Sequence, residues 1–156
     1  MASHEHHFAC HLTWTGASKG PTTGYAAYDR TFRIDIDGKP PLTGSSAPAF
    51  RGDGALHNPE DWLVAALSSC HCLSYLALAA RAGIAVIAYE DRATGVMARI
   101  DEKIRFREVM LRPRVVVPPG TDVERARSLH EKAHEICFIA NSVNFPVRHE
   151  AEIVVA

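Results

Sequence analysis

The residues with the greatest chemical potential here are four cysteines and a group of histidines, and their spacing limits what they can do together. Cys70 and Cys72 fall in one apolar run, where a helix turns them about 160° apart, too far to chelate one ion or bond to each other. Cys70 then shares a face with Leu63, Leu67, Ser74 and Ala77, and Cys72 with Ser68, Ser69 and Tyr75. His130, His134 and Cys137 follow at spacings of four and three, which lines them along one side of a second helix. With Cys70 or Glu60 from the first helix they are candidate ligands for a tetrahedral zinc ion, although no close-spaced pair such as Cys-x-x-Cys accompanies them.

A different chemistry joins one cysteine from each helix as a dithiol. A peroxidatic thiolate attacks the O–O bond of a hydroperoxide and becomes a sulfenic acid, which a second thiol converts to a disulfide. The attacking sulfur needs an arginine beside it, both to lower its pKa and to hydrogen-bond the peroxide oxygens. A carboxylate must then hold the guanidinium, best through a two-pronged contact. Arg51, just before the first helix, and Glu60, in its first turn, are candidates for these two parts.

The elements that must position these groups are legible in outline. Asn58 is an N-cap, Pro59 suits the first helical position, and Glu60 and Asp61 suit the positive end of the helix dipole. Arg81 and Gly83 mark the other end, so a helix is predicted over about residues 58–82. Trp62 to Ala80 contains no Asp, Glu, Lys or Arg and reads as a helix crossing a core. Its length approaches that of a membrane span, but Ser68, Ser69, Cys70, His71, Cys72 and Ser74 form a polar belt at its middle, which argues against a membrane. A second helix, over about 122–139, starts at Thr121 or Asp122 and turns Val123, Ala126, Leu129, Ala133 and Ile136 inward.

Strands account for most of the rest. Phe8, Cys10, Leu12 and Trp14 alternate, which places Cys10 on a buried face as a small filler; the early His4, His6 and His7 read as a frayed terminus. A Gly/Pro/Ser/Thr-rich turn over residues 16–24 leads to the alternating Tyr28, Arg30, Phe32, Ile34 and Ile36, completing N-terminal strands over about 8–36. Residues 39–57 have no sustained period and form a long loop. Strands follow over about 84–117. Within them Ile104 to Val117 reads as a single strand whose apolar parity changes near Glu108, the mark of a bulge. Arg105, Arg107, Arg112 and Arg114 decorate it as a solvated face. A last strand spans about 147–155.

The 156 residues suit one domain of ordinary globular composition, and a formal charge of −1 gives no reason to expect nucleic acid. The N-terminus has no basic region followed by an apolar run, so a cytoplasmic location is expected, where four cysteines are seldom permanent structural disulfides.

Asn58-Pro59-Glu60, followed ten residues after the Glu by Cys70 in an Ala/Ser/Leu-rich helix, with a second helix ending near Cys137, resembles the OsmC/Ohr family of osmotically inducible and organic hydroperoxide resistance proteins. Residues 47–89 and 129–146 carry the likeness to an OsmC-like, peroxiredoxin-type subgroup most clearly. The resemblance implies an α+β fold built as an intertwined homodimer, with antiparallel sheets around two central helices. It implies thiol-dependent reduction of organic hydroperoxides, with Cys70 peroxidatic, Cys137 resolving, Arg51 polarising the peroxide and Glu60 orienting Arg51. Arg30 is the reserve arginine. No cofactor is expected to be bound; an external dithiol, lipoyl groups in particular, would recycle the protein.

The sequence departs from the family pattern where Phe138-Ile139-Ala140 follows Cys137 in place of Pro-Val-Ser, and where His71-Cys72 follows Cys70. Trp62, Leu63, Leu67 and Phe138 are candidate lining for an apolar peroxide pocket, or ordinary core. Two readings of other classes stand beside the peroxidase: a zinc-binding or redox-sensing module using Cys70, His130, His134 and Cys137, and a small-ligand carrier.

Overall fold

The computed structural model describes residues 5–156, so His4 lies outside the described residues. The chain divides into two compact units, one ending at Trp62 and one running from Leu63 to Ala156.

In the first unit, β1 (His11–Trp14), β2 (Phe32–Asp35) and β3 (Leu42–Gly44) form an antiparallel sheet in that order. Cys10 and Phe8 precede this ladder and are exposed, which corrects the expectation that Cys10 fills a core. Alternation gave Cys10 a face, but strand pairing begins one residue after it. The region expected to be one long loop contains β3 and a short 3-10 turn at Pro48–Phe50. Arg30 lies outside the strands. Its guanidinium donates to the carbonyls of Tyr28 at 2.9 Å and Tyr25 at 2.5 Å and stacks over both rings, closing the loop before β2.

Helix α1 (Pro59–Arg81) begins and ends on local chemistry. Asn58 Oδ1 accepts from the Asp61 amide at 2.9 Å, and Asp61 Oδ2 accepts from the Asn58 amide at 3.3 Å, a reciprocal cap. At the other end Gly83 takes φ +71°, the Ile84 amide donates to the Ala79 carbonyl at 2.9 Å and the Gly83 amide to Ala80 at 3.1 Å, which closes a Schellman motif. The helix is long and apolar enough to cross a bilayer. Its Leu67, His71, Tyr75 and Ala79, spaced by four, instead form one fully buried stripe. Leu73, on another side, is 68% exposed, so the helix is buried along a stripe where burial on most sides was expected.

The second unit contains β4 (Ala88–Asp91), β5 (Thr94–Ile100), β6 (Lys103–Leu111), β7 (Pro113–Val117), helix α2 (Val123–Ile136), β8 (Val147–His149) and β9 (Glu152–Val155). They form two sheets, β4-β7-β9 and β5-β6-β8. The sheets are mixed: β6–β8 and β7–β9 pair in parallel, the others antiparallel. The bulge expected near Glu108 is present, since Val96 pairs with Glu108 and Met97 with Phe106, leaving Arg107 unpaired opposite them.

Two expected strands are each two. The run 104–117 breaks at Arg112, and the run 147–155 breaks after His149. Pro113 has no amide to continue a ladder, and Arg112 donates its own to Asp91 Oδ1 at 2.6 Å. The Glu150 amide donates to the Leu111 carbonyl at 3.0 Å beside it. The breaks between β4 and β5, β6 and β7, and β8 and β9 therefore lie along one crease.

Two apolar clusters occupy the two sides. Tyr75, Ala79, Ile84, Val115, Val117, Ala126, Leu129 and Ala133 join α1, α2 and the β4-β7-β9 sheet. Leu67, Val109, Leu111 and Val147, with Leu63, Phe106 and Phe145 packed on them, fill the other. Ile136, expected inside, is 44% exposed; His130 takes the buried place on α2. The arginines of β6 and β7 stay at the surface, in ion pairs such as Arg105–Asp101 and Arg114–Glu152, which contribute little to stability.

Candidate functional site

Cys70 sits midway along α1, half-exposed. Cys137 is the residue at which α2 stops: its φ −69°, ψ 108° are extended, and its amide still reaches back to the His134 carbonyl at 3.3 Å. Its side chain is 1% exposed. The two thiols, 67 positions apart in sequence, lie close enough for Cys70 to perturb Cys137, and both are free. Burial first, and then the adjacent Cys70 sulfur, push the Cys137 thiol up from its ordinary range. Cys137 therefore holds its proton at neutral pH. Of the two sulfurs, Cys70 is the one a dissolved molecule can meet.

Cys72 points elsewhere on the helix, as its spacing predicts. Burial, and then the Asp91 carboxylate, raise its pKa, so it is no thiolate. Asp91 itself is held by the Ser68 hydroxyl at 2.5 Å.

Arg51 and Glu60 belong to the first unit. Arg51 is exposed, with φ 65° at the end of the 3-10 turn, and its guanidinium makes no hydrogen bond or ion pair among the described residues. Glu60 is half-buried, and its Oε2 is shielded from solvent without a hydrogen-bond partner among the described residues. No ion pair joins the two. Arg30, by contrast, is fully engaged with Tyr25 and Tyr28.

The zinc ligand set is not assembled. Among the described residues no group of three or more His, Cys, Asp or Glu side chains is arranged to hold a metal ion. His130 instead bonds His71: His71 Nε2 and His130 Nδ1 are 3.0 Å apart, with ring planes 10° apart and both rings buried. Tyr75 stacks on His130 at 4.0 Å between centroids and donates its hydroxyl to the Ala126 carbonyl at 3.2 Å. His149 lies 5.4 Å from the His71 ring, and its Nε2 is 3.5 Å from Glu131 Oε1 at the surface.

Sequence reasoning missed this cluster. The signal was present in the position of His71, four residues from Leu67 and four from Tyr75 on the buried stripe. The four candidates for pocket lining or ordinary core lie in different places. Leu67 is core, Leu63 packs against it, and Phe138 is 80% exposed immediately after Cys137. Trp62 meets Phe32 edge-on at 5.6 Å within the first unit.

Comparison with known proteins places these features in a group. Residues 52–152 match the family model described as OsmC-like protein. An OsmC-like protein of unknown function from Vibrio cholerae has a similar structure, with TM-score 0.86 and 33% identity over 94% of this chain and 99% of that one. An organic hydroperoxide resistance protein from Elizabethkingia anophelis shares the fold at TM-score 0.68 and 20% identity, covering 97% of this chain and 99% of that one. Among curated proteins, the uncharacterized YmaD of Bacillus subtilis is 23% identical over 152 residues, 95% of this chain and 93% of its own.

Proposed function

The chain belongs to the OsmC-like protein family, and from that premise we propose that it is a cysteine-based peroxidase that reduces organic hydroperoxides. The observation that carries this reading is the proximity of a half-exposed Cys70 to a buried Cys137 from a distant helix. Structural relatives named organic hydroperoxide resistance proteins support peroxide as the substrate class.

In the proposed reaction the Cys70 thiolate attacks one peroxide oxygen, the O–O bond breaks, and the alkoxide leaves as alcohol after taking a proton. Cys70 is then a sulfenic acid. The Cys137 sulfur attacks the Cys70 sulfur, the S–O bond breaks, and hydroxide departs as water with the Cys137 proton. An external dithiol, of which lipoyl groups are one kind, exchanges with the Cys70–Cys137 disulfide and restores both thiols. The protein itself brings no bound cofactor to this cycle.

Arg51 is assigned to polarise the peroxide and Glu60 to orient it. Two facts support this assignment. The Arg51 guanidinium is uncommitted whereas that of Arg30 is not, and Glu60 Oε2 is a shielded acceptor in need of a donor. The protein acts as a homodimer in the cytoplasm on this reading, with the exposed apolar side of α1 around Leu73 covered by the second copy.

The test is stopped-flow consumption of cumene hydroperoxide by the reduced protein, followed by mass spectrometry of its cysteine peptides. Fast turnover with a Cys70–Cys137 disulfide is expected; slow oxidation spread over all four cysteines would refute the reading.

A further inference from the structure

Helices α1 and α2 share one buried cluster, in which Tyr75 and Leu129 stand among small side chains. Ala79 on one and Ala126 and Ala133 on the other are fully buried in their shared cluster. Apolar contacts are non-directional and leave room for one helix to slide or rotate on the other. Disulfide chemistry tolerates little of either, because the two Cβ atoms must come to about 3.5–4.5 Å. Something directional must set the register.

Two side-chain hydrogen bonds do run between the helices, and they come from adjacent members of one stripe: His71 to His130, and Tyr75 to the Ala126 carbonyl. The histidine bond is the one tied to the thiols. His71 is the residue after Cys70, and His130 lies seven residues before Cys137, close to two helical turns along the same side of α2.

The bond is also unusually costly to keep. One ring donates and the other accepts, so whichever tautomers are present, the outward nitrogens are left as one N–H and one lone pair. Those atoms, His71 Nδ1 and His130 Nε2, are buried without a protein partner among the described residues. Two leucines would fill the same space without burying any polar atom. A buried polar pair retained at such cost is best understood as fixing alignment, as polar residues do at coiled-coil seams.

We propose that the His71–His130 hydrogen bond is a latch between α1 and α2 that holds the Cys70 and Cys137 sulfurs in disulfide-forming register. Both histidines are positioning residues. The inference rests on Cys70 and Cys137 being the reacting pair.

The test uses thiol–disulfide equilibrium, which needs no peroxide. In a Cys10→Ser/Cys72→Ala background, the full chain is equilibrated with oxidised and reduced glutathione. Forming the disulfide takes two electrons and two protons from the protein thiols and turns one oxidised glutathione into two reduced ones. The Cys70–Cys137 disulfide is then quantified by acid quench and mass spectrometry, and each variant's fold is checked by urea denaturation.

The amide side chains separate a latch from general damage, because the Gln amide nitrogen sits near the place of His Nε2 and the Asn amide near that of Nδ1. His71→Gln is expected to keep the bond and stay within about threefold of the parent, whereas His71→Asn lowers the disulfide equilibrium constant by about tenfold or more. At the other ring the order reverses, so His130→Asn keeps the bond and His130→Gln loses it. This second pair carries the test if His71→Asn does not fold. Equal shifts for Asn and Gln at both positions would overturn the latch. A parent that forms no Cys70–Cys137 disulfide at any glutathione ratio would overturn the dithiol reading and the latch with it, whereas a parent that forms the disulfide but ignores peroxide would refute only the peroxidase.

Discussion

Asp91 Oδ1 accepts the Arg112 amide at 2.6 Å at the point where β6 gives way to β7, while Asp91 Oδ2 accepts the Ser68 hydroxyl of α1 at 2.5 Å. One carboxylate thus ties the crease between the sheets to the helix that carries Cys70. Asp91→Ala leaves both donors without their charged acceptor and is expected to cost about 1–3 kcal/mol, read as a lower urea midpoint with an unchanged slope. Asp91→Asn, which retains one acceptor oxygen, should lose less.

Cys70→Ser is expected to abolish peroxide consumption. Cys137→Ser should permit one fast turnover and then stop, with the sulfenic acid at Cys70 trapped by dimedone or driven on to the sulfinic acid. Mass spectrometry distinguishes the two. Equal residual activity in both variants would assign the chemistry to neither residue.

If Arg51 polarises the peroxide as proposed, Arg51→Ala should lower the rate by on the order of 100-fold, the usual effect of removing a donor aimed at developing oxyanion charge. Glu60→Gln should fall in the same direction by a smaller factor, because the guanidinium remains. Arg30→Ala should instead lower thermal stability and spare the rate, since its contacts close the loop from Tyr25 to Tyr28. Rate loss with Arg30→Ala and none with Arg51→Ala would exchange their roles.

Burial first, and then the neighbouring histidines, hold His71 at about 4 and His130 at about 3, below the ordinary 6.5. Groups that face them from the surrounding elements are His149 of β8, His134 and Glu131 of α2, and Tyr75 of α1. Between pH 6.5 and about 4 the unfolded chain binds more protons than the folded one at these positions. Their contribution to stability is therefore fully present above pH 6.5 and is lost as the pH falls toward 4. At 1.36 kcal/mol per pH unit, His71 alone accounts for about 3 kcal/mol over that window. Urea midpoints measured from pH 7 to 4.5 should show the decline, and His71→Leu/His130→Leu should flatten it.

Leu73 tests the homodimer. Leu73→Asp places a charge on the exposed apolar side of α1 and should convert a dimer into monomer on light scattering coupled to size exclusion, with the far-ultraviolet circular dichroism unchanged. A monomeric parent would refute the proposed assembly directly.

Much of the architecture was legible because its determinants are local. The Asn58 cap, the Gly83 stop, the Asp122 cap and the parity change that marks the bulge are each decided within a few residues, and each is present. The strand breaks at Arg112 and after His149 were not legible, because they depend on Asp91 and Leu111, which lie far off in sequence or in a neighbouring strand. Apolar alternation continues unbroken through both. The exposure of Cys10 was misread for a similar reason: periodicity assigns a residue to a face, and pairing decides whether that face belongs to a sheet at all. At the site, residue types and helix positions pointed to one cysteine from each helix, the family resemblance chose Cys70 and Cys137, and the structure places these two near each other. The His71–His130 bond required knowing which side of each helix faces the other, and spacing alone could not separate it from a zinc site.

The crease has a further consequence. Each of the two sheets holds one piece of each of the same three chain segments, β4/β5, β6/β7 and β8/β9, and α1 reaches both, through Leu67 on one side and Tyr75 and Ala79 on the other. We expect the two sheets to open together, so amide exchange should report a single protection class across them: a foldon with two faces and one opening energy.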